Sequence, residues 1–420
     1  MGPQDQQTSK HTDFVNISDC LACGSQKVSP YLDLGLQPLA NDFTEINAKM
    51  EVFPLVLQCC EDCSHSQLSV SVSPERLFRN YLYVSSTTET LMEYFRWFVE
   101  DVVSGFGDSL NVLEIASNDG SLLKVLAERG YKAIGVDPAL NLLPHVMKNG
   151  VVSICDFWPG IVSNFLQNSS DIVIAMNVIA HVPDPREFLS AARKALKPGG
   201  CIILQTSQAE MIEKFQFDTV YHEHLSFFNV SSMEKLAERS GLSLIDVTLV
   251  PIHGKSYIWT LKASNSGSSD RLKLRREYER QAGLKNQSTY SNFARMAKEI
   301  AGATLEKILE LQSKGYSVWG YGAAAKGNTF LNFADIKLSG FFDDNPLKQG
   351  RQSPGGRAIV FHPDQMTDIT DPICFIVPAW NFAEEIAQRI LRLRTDERDR
   401  ILLYYPSLQL VTVTEVAQSQ

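Results

Sequence analysis

No stretch of this 420-residue chain approaches the roughly 18 consecutive apolar residues of a membrane-spanning helix, so no membrane partner is expected. The start, Met1-Gly2-Pro3-Gln4-Asp5-Gln6, has neither the charged nor the apolar region of a secretory signal, and Gln6 stands where a myristoylation signal has Ser or Thr. The expected compartment is the cytoplasm. Basic charge is also scarce: 39 Lys and Arg against 48 Asp and Glu leave a net charge of −9. That balance argues against nucleic acid, whose phosphates call for a basic face, although local basic pockets stay open. Missing too is any Gly-x-Gly-x-x-Gly after a strand, the turn by which a doubly wound sheet takes a pyrophosphate. Apart from a Ser/Asn/Gly-rich linker over 264–272 there is no repeat or low-complexity tract.

Cysteine is present at eight positions, and in a reducing compartment such residues are ligands or core more often than disulfides. Cys20-Leu21-Ala22-Cys23 and Cys60-Glu61-Asp62-Cys63 each carry two thiolates at knuckle spacing, and Gly24 supplies the turn after the first. Four thiolates complete a tetrahedron around zinc and leave no open position, which makes the metal structural. The two pairs are too far apart for a compact finger, so a small β subdomain is expected between them, with Val52–Leu57 as one strand. Cys59 reads either as a buried thiol or as a competing ligand. Cys155, Cys201 and Cys374 lie in apolar strands and read as core.

The middle of the chain reads as a nucleoside-binding sheet. Val112–Ile115 is a short apolar strand whose Glu114 precedes the turn Ala116-Ser117-Asn118-Asp119-Gly120 and an amphipathic helix. A second strand, Ala133–Val136, ends in Asp137-Pro138 about 20 residues after the turn, where a carboxylate holds ribose hydroxyls. Ala116 stands in place of the first glycine, which disfavours a dinucleotide and favours S-adenosylmethionine, whose adenosine carries no pyrophosphate. Ser153–Phe157 offers Asp156 and an aromatic ring, Phe157, for the adenine; Asp171–Asp184 is a fourth strand with a loop holding Asn177 and His181. A helix stopped by Pro198-Gly199-Gly200 before Cys201–Leu204 completes a class I methyltransferase pattern over 112–204.

Beyond it, Tyr221-His222-Glu223-His224 sets titratable groups before the apolar run Leu225–Phe228, a composition suited to moving protons. Upstream, the Tyr81-Leu82-Tyr83 loop precedes a helix from about Glu89 to Val103 and can overhang a site. A helix over 231–240 and two strands, Leu244–Val247 and Tyr257–Leu261, form the antiparallel end of the sheet, and the turn between the strands carries His253. Long charged helices over about 271–312 bridge to a second αβ unit. There, Ser317–Gly322, Ala323-Ala324-Ala325-Lys326-Gly327-Asn328-Thr329 is a strand, a small-residue loop and a helix start that present N–H groups and a lysine to an anion. Asp343-Asp344-Asn345-Pro346 ends the next strand, with Lys348 and Arg351 after it.

In this combination and order, the four-cysteine module, the Ser-Asn-Asp-Gly turn, Tyr-His-Glu-His, and the Gly-Tyr-Gly-Ala-Ala-Ala-Lys-Gly-Asn-Thr loop with its Asp-Asp-Asn-Pro partner closely resemble the sugar C-methyltransferases. These act on nucleotide-linked 4-keto-6-deoxysugars. The resemblance runs from about Cys20 to Tyr405 and implies an α/β protein in four parts. These are a zinc-binding module (14–78), a class I (Rossmann-like) S-adenosylmethionine methyltransferase domain (79–263), bridging helices (264–312) and a C-terminal Rossmann-like domain (313–410). It implies a ketosugar nucleotide between the methyltransferase and C-terminal domains, with His224 as base, Tyr221, Glu223 and His222 as neighbours, and Tyr81 or Tyr83 facing them. His253, Lys326, Asn328, Asp344 and Arg351 are the expected sugar-nucleotide contacts. The chain departs from the family's His-Gly-Gly-Ser by carrying Lys255, which bears on how closely the backbone approaches there and on the sugar taken. Chemically, a 4-keto group acidifies C3, His224 removes the proton, Glu223 orients the imidazole and a phenol stabilises the oxyanion. The alternatives are O- or N-methylation of another small metabolite, a non-catalytic binding protein on this fold, and a metalloenzyme built on His222 and His224.

Overall fold

A computed structural model describes residues 14–78, 89–264 and 267–418. At its centre lies a seven-stranded sheet of β1 (Asn111–Ile115), β2 (Lys132–Val136), β3 (Ser153–Ile154), β4 (Ser170–Met176), β5 (Leu196–Ser207), β6 (Ser243–Val250) and β7 (Ser256–Lys262). The spatial order is β3-β2-β1-β4-β5-β7-β6, parallel except that β7 runs antiparallel to both its neighbours. β1 and β4 are nearly continuous apolar runs because both faces of a parallel sheet are covered. Alternate residues feed opposite cores: Ile172 and Ile174 pack with Phe98 and Leu126, whereas Val173 and Ala175 pack with Phe188 and Leu236. Helix Pro185–Ala195 starts where Asp184 accepts from the Glu187 N–H, and Val230–Arg239 starts in a reciprocal Asn229/Ser232 cap.

The C-terminal sheet contains β8 (Ser317–Tyr321), β9 (Gly340–Phe342), β10 (Val360–Phe361), β11 (Ile373–Ile376), β12 (Arg400–Leu403) and β13 (Gln409–Thr412) in the order β10-β9-β8-β11-β12-β13. Only β13 is antiparallel. Gly320 in β8 is required by packing, since a Cβ there would lie 2.1 Å from the Phe341 ring. Helix Gln287–Ser313 buries Tyr290, Phe293, Ala297, Ala301, Thr304, Ile308 and Leu311, a stripe at helical spacing. That stripe joins Leu32 and Leu57 of the N-terminal module to Val318 and Ile376 of the C-terminal sheet in one core. The helix is thus the rivet between the ends of the chain.

The N-terminal module pairs Val28–Gln37, Phe53–Cys60 and Ser66–Leu68, and its fourth strand, Ser226–Phe227, comes from the far side of the sequence. The Cys20 and Cys63 sulfurs are 3.6 Å apart and those of Cys23 and Cys60 3.5 Å, with all four within 4.8 Å. A zinc tetrahedron with bonds of about 2.3 Å sets its sulfurs about 3.8 Å apart, so the donor set fits zinc. The neighbouring sulfurs, with burial adding to them, push the Cys20 and Cys63 thiols up, a penalty on crowded thiolates that a cation offsets. Cys59 lies outside this cluster, in the core with Leu57 and Tyr290.

Three local expectations change. Cys155 is exposed, because β3 ends at Ile154 and the chain has already left the sheet. The linker ends early, since Ser269 accepts from the Leu272 N–H and starts a helix at Asp270. The helix from Glu89 is α-helical only to Trp97 and widens to a π-helix over Phe98–Val103. Among the described residues no helix is long and apolar enough to cross a membrane. Purified protein should carry about one zinc. Metal analysis that found none in unchelated protein, or an unchanged content after Cys20→Ser with Cys60→Ser, would contradict the assignment.

Candidate active site

The turn after β1 is tightly wound. Ala116, Asn118 and Gly120 have φ of 60°, 50° and 78°, so Ala116 takes the left-handed conformation usually left to glycine, at roughly 1–2 kcal/mol. Asp137 at the end of β2 offsets part of that cost, accepting from the Asn118 N–H and the Ala139 N–H at 2.8 Å each. Each oxygen keeps a lone pair for a hydroxyl donor. Glu114 is buried with one carboxylate oxygen unpartnered, and burial together with the Asp137 and Asp119 charges raises its pKa well above the usual carboxylate value. Asn177 at the end of β4, with φ of 53°, also has an unpartnered side-chain oxygen. This acid-rich rim with free acceptors fits a cationic nucleoside and does not fit a diphosphate.

The rim is one end of a cavity of about 630 Å³. Glu114, Ala116, Ser117, Asn118, Asp119, Asp137, Pro138, Asp156, Phe157, Asn177 and His181 all line it, and Gly120 sits just behind as the start of helix Ser121–Glu128. Asp156 also caps its own turn, accepting from the N–H groups of Phe157 and Val162 at 2.9 and 3.1 Å.

Tyr221 and His224 enter the middle of the same cavity. The His224 ring is buried, with Nδ1 2.9 Å from the Thr219 carbonyl and Nε2 3.0 Å from the Tyr221 hydroxyl. A carbonyl only accepts, so Nδ1 carries the hydrogen and Nε2 keeps its lone pair. Burial, with His181 adding to it, holds the His224 pKa well below the usual histidine value, and the ring is neutral. His181 lies alongside, ring centres 4.9 Å apart, and its Nδ1 donates to the Glu223 carbonyl at 2.5 Å.

Glu223 and His222 face elsewhere. Glu223 accepts from the Asn41 amide at 2.9 Å and does not touch the His224 ring, so the expected orienter is replaced by the Thr219 carbonyl. His222 donates to the Pro54 carbonyl at 3.2 Å and packs edge-on to Phe53. The two histidines therefore diverge, because the segment is a turn and not the extended strand in which they would share a side. Tyr81 and Tyr83 lie outside the described residues.

The far end is cationic. Lys326 is half-buried, bonded to the Asn381 side-chain oxygen at 2.5 Å and 3.9 Å above the Trp380 ring. Burial lowers its pKa to about 8 against the opposing attraction of Asp218. His253 lines the cavity beside Lys326, with its side chain exposed. Three expected contacts are not in the cavity. Asn328 donates to the Ala40 carbonyl at 2.8 Å and Arg351 to the Phe43 carbonyl at 3.1 Å, both fastening the C-terminal sheet to the N-terminal module. Asp344 accepts from the Tyr321 hydroxyl at 3.0 Å and lies near Arg389. Conversely, Gln208, Thr219, Trp380 and Asn381 line the cavity and were not anticipated. Gln208, with φ of 65°, lays its amide 3.0 and 3.1 Å from the two His224 nitrogens.

Three family models tile the chain. Residues 20–78 match a "Putative zinc binding domain", 75–247 a "Methyltransferase domain", and 251–403 a "C-methyltransferase C-terminal domain". C-methyltransferase NovU of Streptomyces niveus is 29% identical over 384 residues, 88% of this chain and 91% of that protein. The chain is an S-adenosylmethionine-dependent C-methyltransferase. Ubiquinone biosynthesis O-methyltransferase of Idiomarina loihiensis is 32% identical over 123 residues, but these are 26% of this C-methyltransferase and 46% of that enzyme. The crystal structure of PH0226 protein from Pyrococcus horikoshii OT3 overlaps 45% of this chain and 98% of its own at 15% identity, with a TM-score of 0.36. The C-methyltransferase holds S-adenosylmethionine on an αβ sheet and zinc in its cysteine cluster.

Asp137→Ala should weaken S-adenosylmethionine binding by about 1.5–3 kcal/mol, the worth of charge-assisted hydrogen bonds to the ribose. Calorimetry giving an unchanged affinity would remove that role from Asp137.

Proposed function

We propose that the acceptor is a nucleotide-linked 4-keto-6-deoxysugar, methylated at C3 through an enolate formed by His224. The observation that carries this reading is that a neutral imidazole nitrogen and a half-buried ammonium, Lys326, open on the same cavity as the acidic nucleoside rim. Carbon becomes a nucleophile only after losing a proton next to a carbonyl, so C-methylation needs a ketone-like acceptor and a base. His224 Nε2 is the base, its tautomer fixed by the Thr219 carbonyl.

A buried imidazole is a weak base when it ionises alone. Here it gains its proton as the acceptor oxygen gains negative charge, and two opposite charges formed together in a low-dielectric cavity stabilise each other. The Tyr221 hydroxyl, 3.0 Å from Nε2, turns to the enolate oxygen once the base is occupied. S-adenosylmethionine supplies an electrophilic methyl group on a cationic sulfur. Apolar Leu91, Phe95 and Phe188 wall the cavity and keep water from the enolate.

Lys326 supports the nucleotide part of the reading. It is a half-buried cation whose hydrogen-bond partner is a neutral amide, while the nearby Asp218 carboxylate is engaged by the Trp380 N–H and the Tyr404 hydroxyl, both at 2.9 Å. A diphosphate beside Lys326 pairs that charge and leaves the sugar ring between it and the sulfonium. O-methylation of a hydroxyl would use the same histidine, but the match to the C-methyltransferase C-terminal model over residues 251–403 favours carbon.

Incubation with 13C-methyl S-adenosylmethionine and a panel of TDP-, GDP- and CDP-linked sugars should give a carbon-bound methyl on a 4-keto-6-deoxysugar and no product from the matching 4-hydroxy sugars. A methyl on oxygen or nitrogen, or equal turnover of 4-hydroxy sugars, would contradict the proposal.

A further inference from the structure

The zinc module contributes no cysteine to the cavity, yet it holds the back of the segment that carries His224. One residue after His224, the Leu225 carbonyl accepts from the Leu68 N–H at 2.9 Å. Ser226 and Phe227 then pair with Gln67 and Ser66 as the fourth strand of the module's sheet. The ligand Cys63 is followed by Ser64 and His65, which grip the same stretch: the Ser64 carbonyl accepts from the Asn229 amide at 2.7 Å, and His65 Nε2 meets the Ser226 hydroxyl at 3.2 Å. His65 is fully buried, with its ring 4.8 Å from Phe228. Its carbonyl closes the knuckle by accepting from the Cys60 N–H at 2.9 Å. On the other side of His224, Pro54 and Asn41 of the module hold His222 and Glu223. The turn after β4 contributes a smaller grip, the Leu225 N–H donating to the Ala180 carbonyl at 2.8 Å.

We propose that His65 is a positioning residue, which carries the rigidity of the four-cysteine cluster into the Leu225–Phe228 strand and so keeps His224 in its single orientation. The physical reason is one of span. A two-residue strand has few ladder hydrogen bonds, and an isolated pairing of that length is marginal in water. The side-chain bond from a buried ring fixed at the knuckle adds the restraint that the ladder lacks. The reach of His224 into the cavity is thereby coupled to metal binding in a module it does not touch. The name base for His224 rests on the function proposed above, whereas the positioning of its ring does not, and the test is read without an acceptor.

The full chain is labelled with 15N-histidine, and the His224 resonances are identified by their loss in His224→Gln. The wild type should show the Nδ1–H tautomer alone. His65→Ala should keep its zinc and its S-adenosylmethionine affinity while the His224 signals move to the averaged position of two exchanging tautomers; His65→Gln, which retains a hydrogen-bonding group toward Ser226, should restore the wild-type spectrum. Ser226→Ala removes the bond from the other side and should reproduce the averaging, which decides the matter if His65→Ala loses metal. Unchanged His224 signals in Ser226→Ala, or in a zinc-retaining His65→Ala, would overturn the proposal, as would a failure of His65→Gln to restore them.

Discussion

The hydrogen bond from His224 Nδ1–H to the Thr219 carbonyl is the constraint on which the reacting end of the molecule depends. It selects the tautomer and aims Nε2 into the cavity, and it does so only while residues 217–229 keep their path. That path is clamped from three directions. Asp218 beside Thr219 is held by Trp380 and Tyr404 of the C-terminal domain, Leu225 is held by Ala180 in the turn after β4, and Ser226–Asn229 is held by the zinc module. The core around helix Gln287–Ser313 keeps the first and last of these clamps at a fixed separation. A buried polar loop would otherwise be expensive, at about 1–3 kcal/mol for each unpaired group.

Groups of different character share the cavity: Asp119 and Asp137 with the turn after β1, the His181 and His224 rings side by side, and Lys326 over Trp380. On the proposed reading, a cationic sulfonium is drawn to the carboxylates and an anionic diphosphate to Lys326, with the reacting carbons beside His224. Preorganisation of this kind brings two substrates into line before any bond changes.

Much of the architecture was legible in the sequence. Apolar strands followed by small-residue turns predict both αβ sheets, the two Cys-x-x-Cys pairs predict the metal cluster, and Tyr221 and His224 stand out because titratable groups are rare before an apolar run. The remainder depends on which neighbour approaches a given turn. Asn328, Arg351 and Asp344 look like anion ligands because a small-residue βα turn has the same sequence whether phosphate or another domain packs on it; here residues 40–43 take up Asn328 and Arg351. Gln208, Asp218, Trp380 and Asn381 carry no local signal, since each acquires its meaning from a partner far away in the chain. His222 and Glu223 are indistinguishable from His224 by composition, and the turn that separates them is set by contacts with Pro54 and Asn41.

The central claim is that a neutral imidazole at residue 224 removes a proton from the carbon next to the acceptor's carbonyl before the methyl group moves. The most direct measurement follows that hydrogen in deuterated water, with wild type and His224→Asn each saturated with a 4-keto-6-deoxysugar nucleotide. The account predicts exchange in the wild type, none in His224→Asn, and an S-adenosylmethionine affinity that the substitution leaves nearly intact. Exchange at a near wild-type rate without His224 would contradict it and move the base to another group in the cavity.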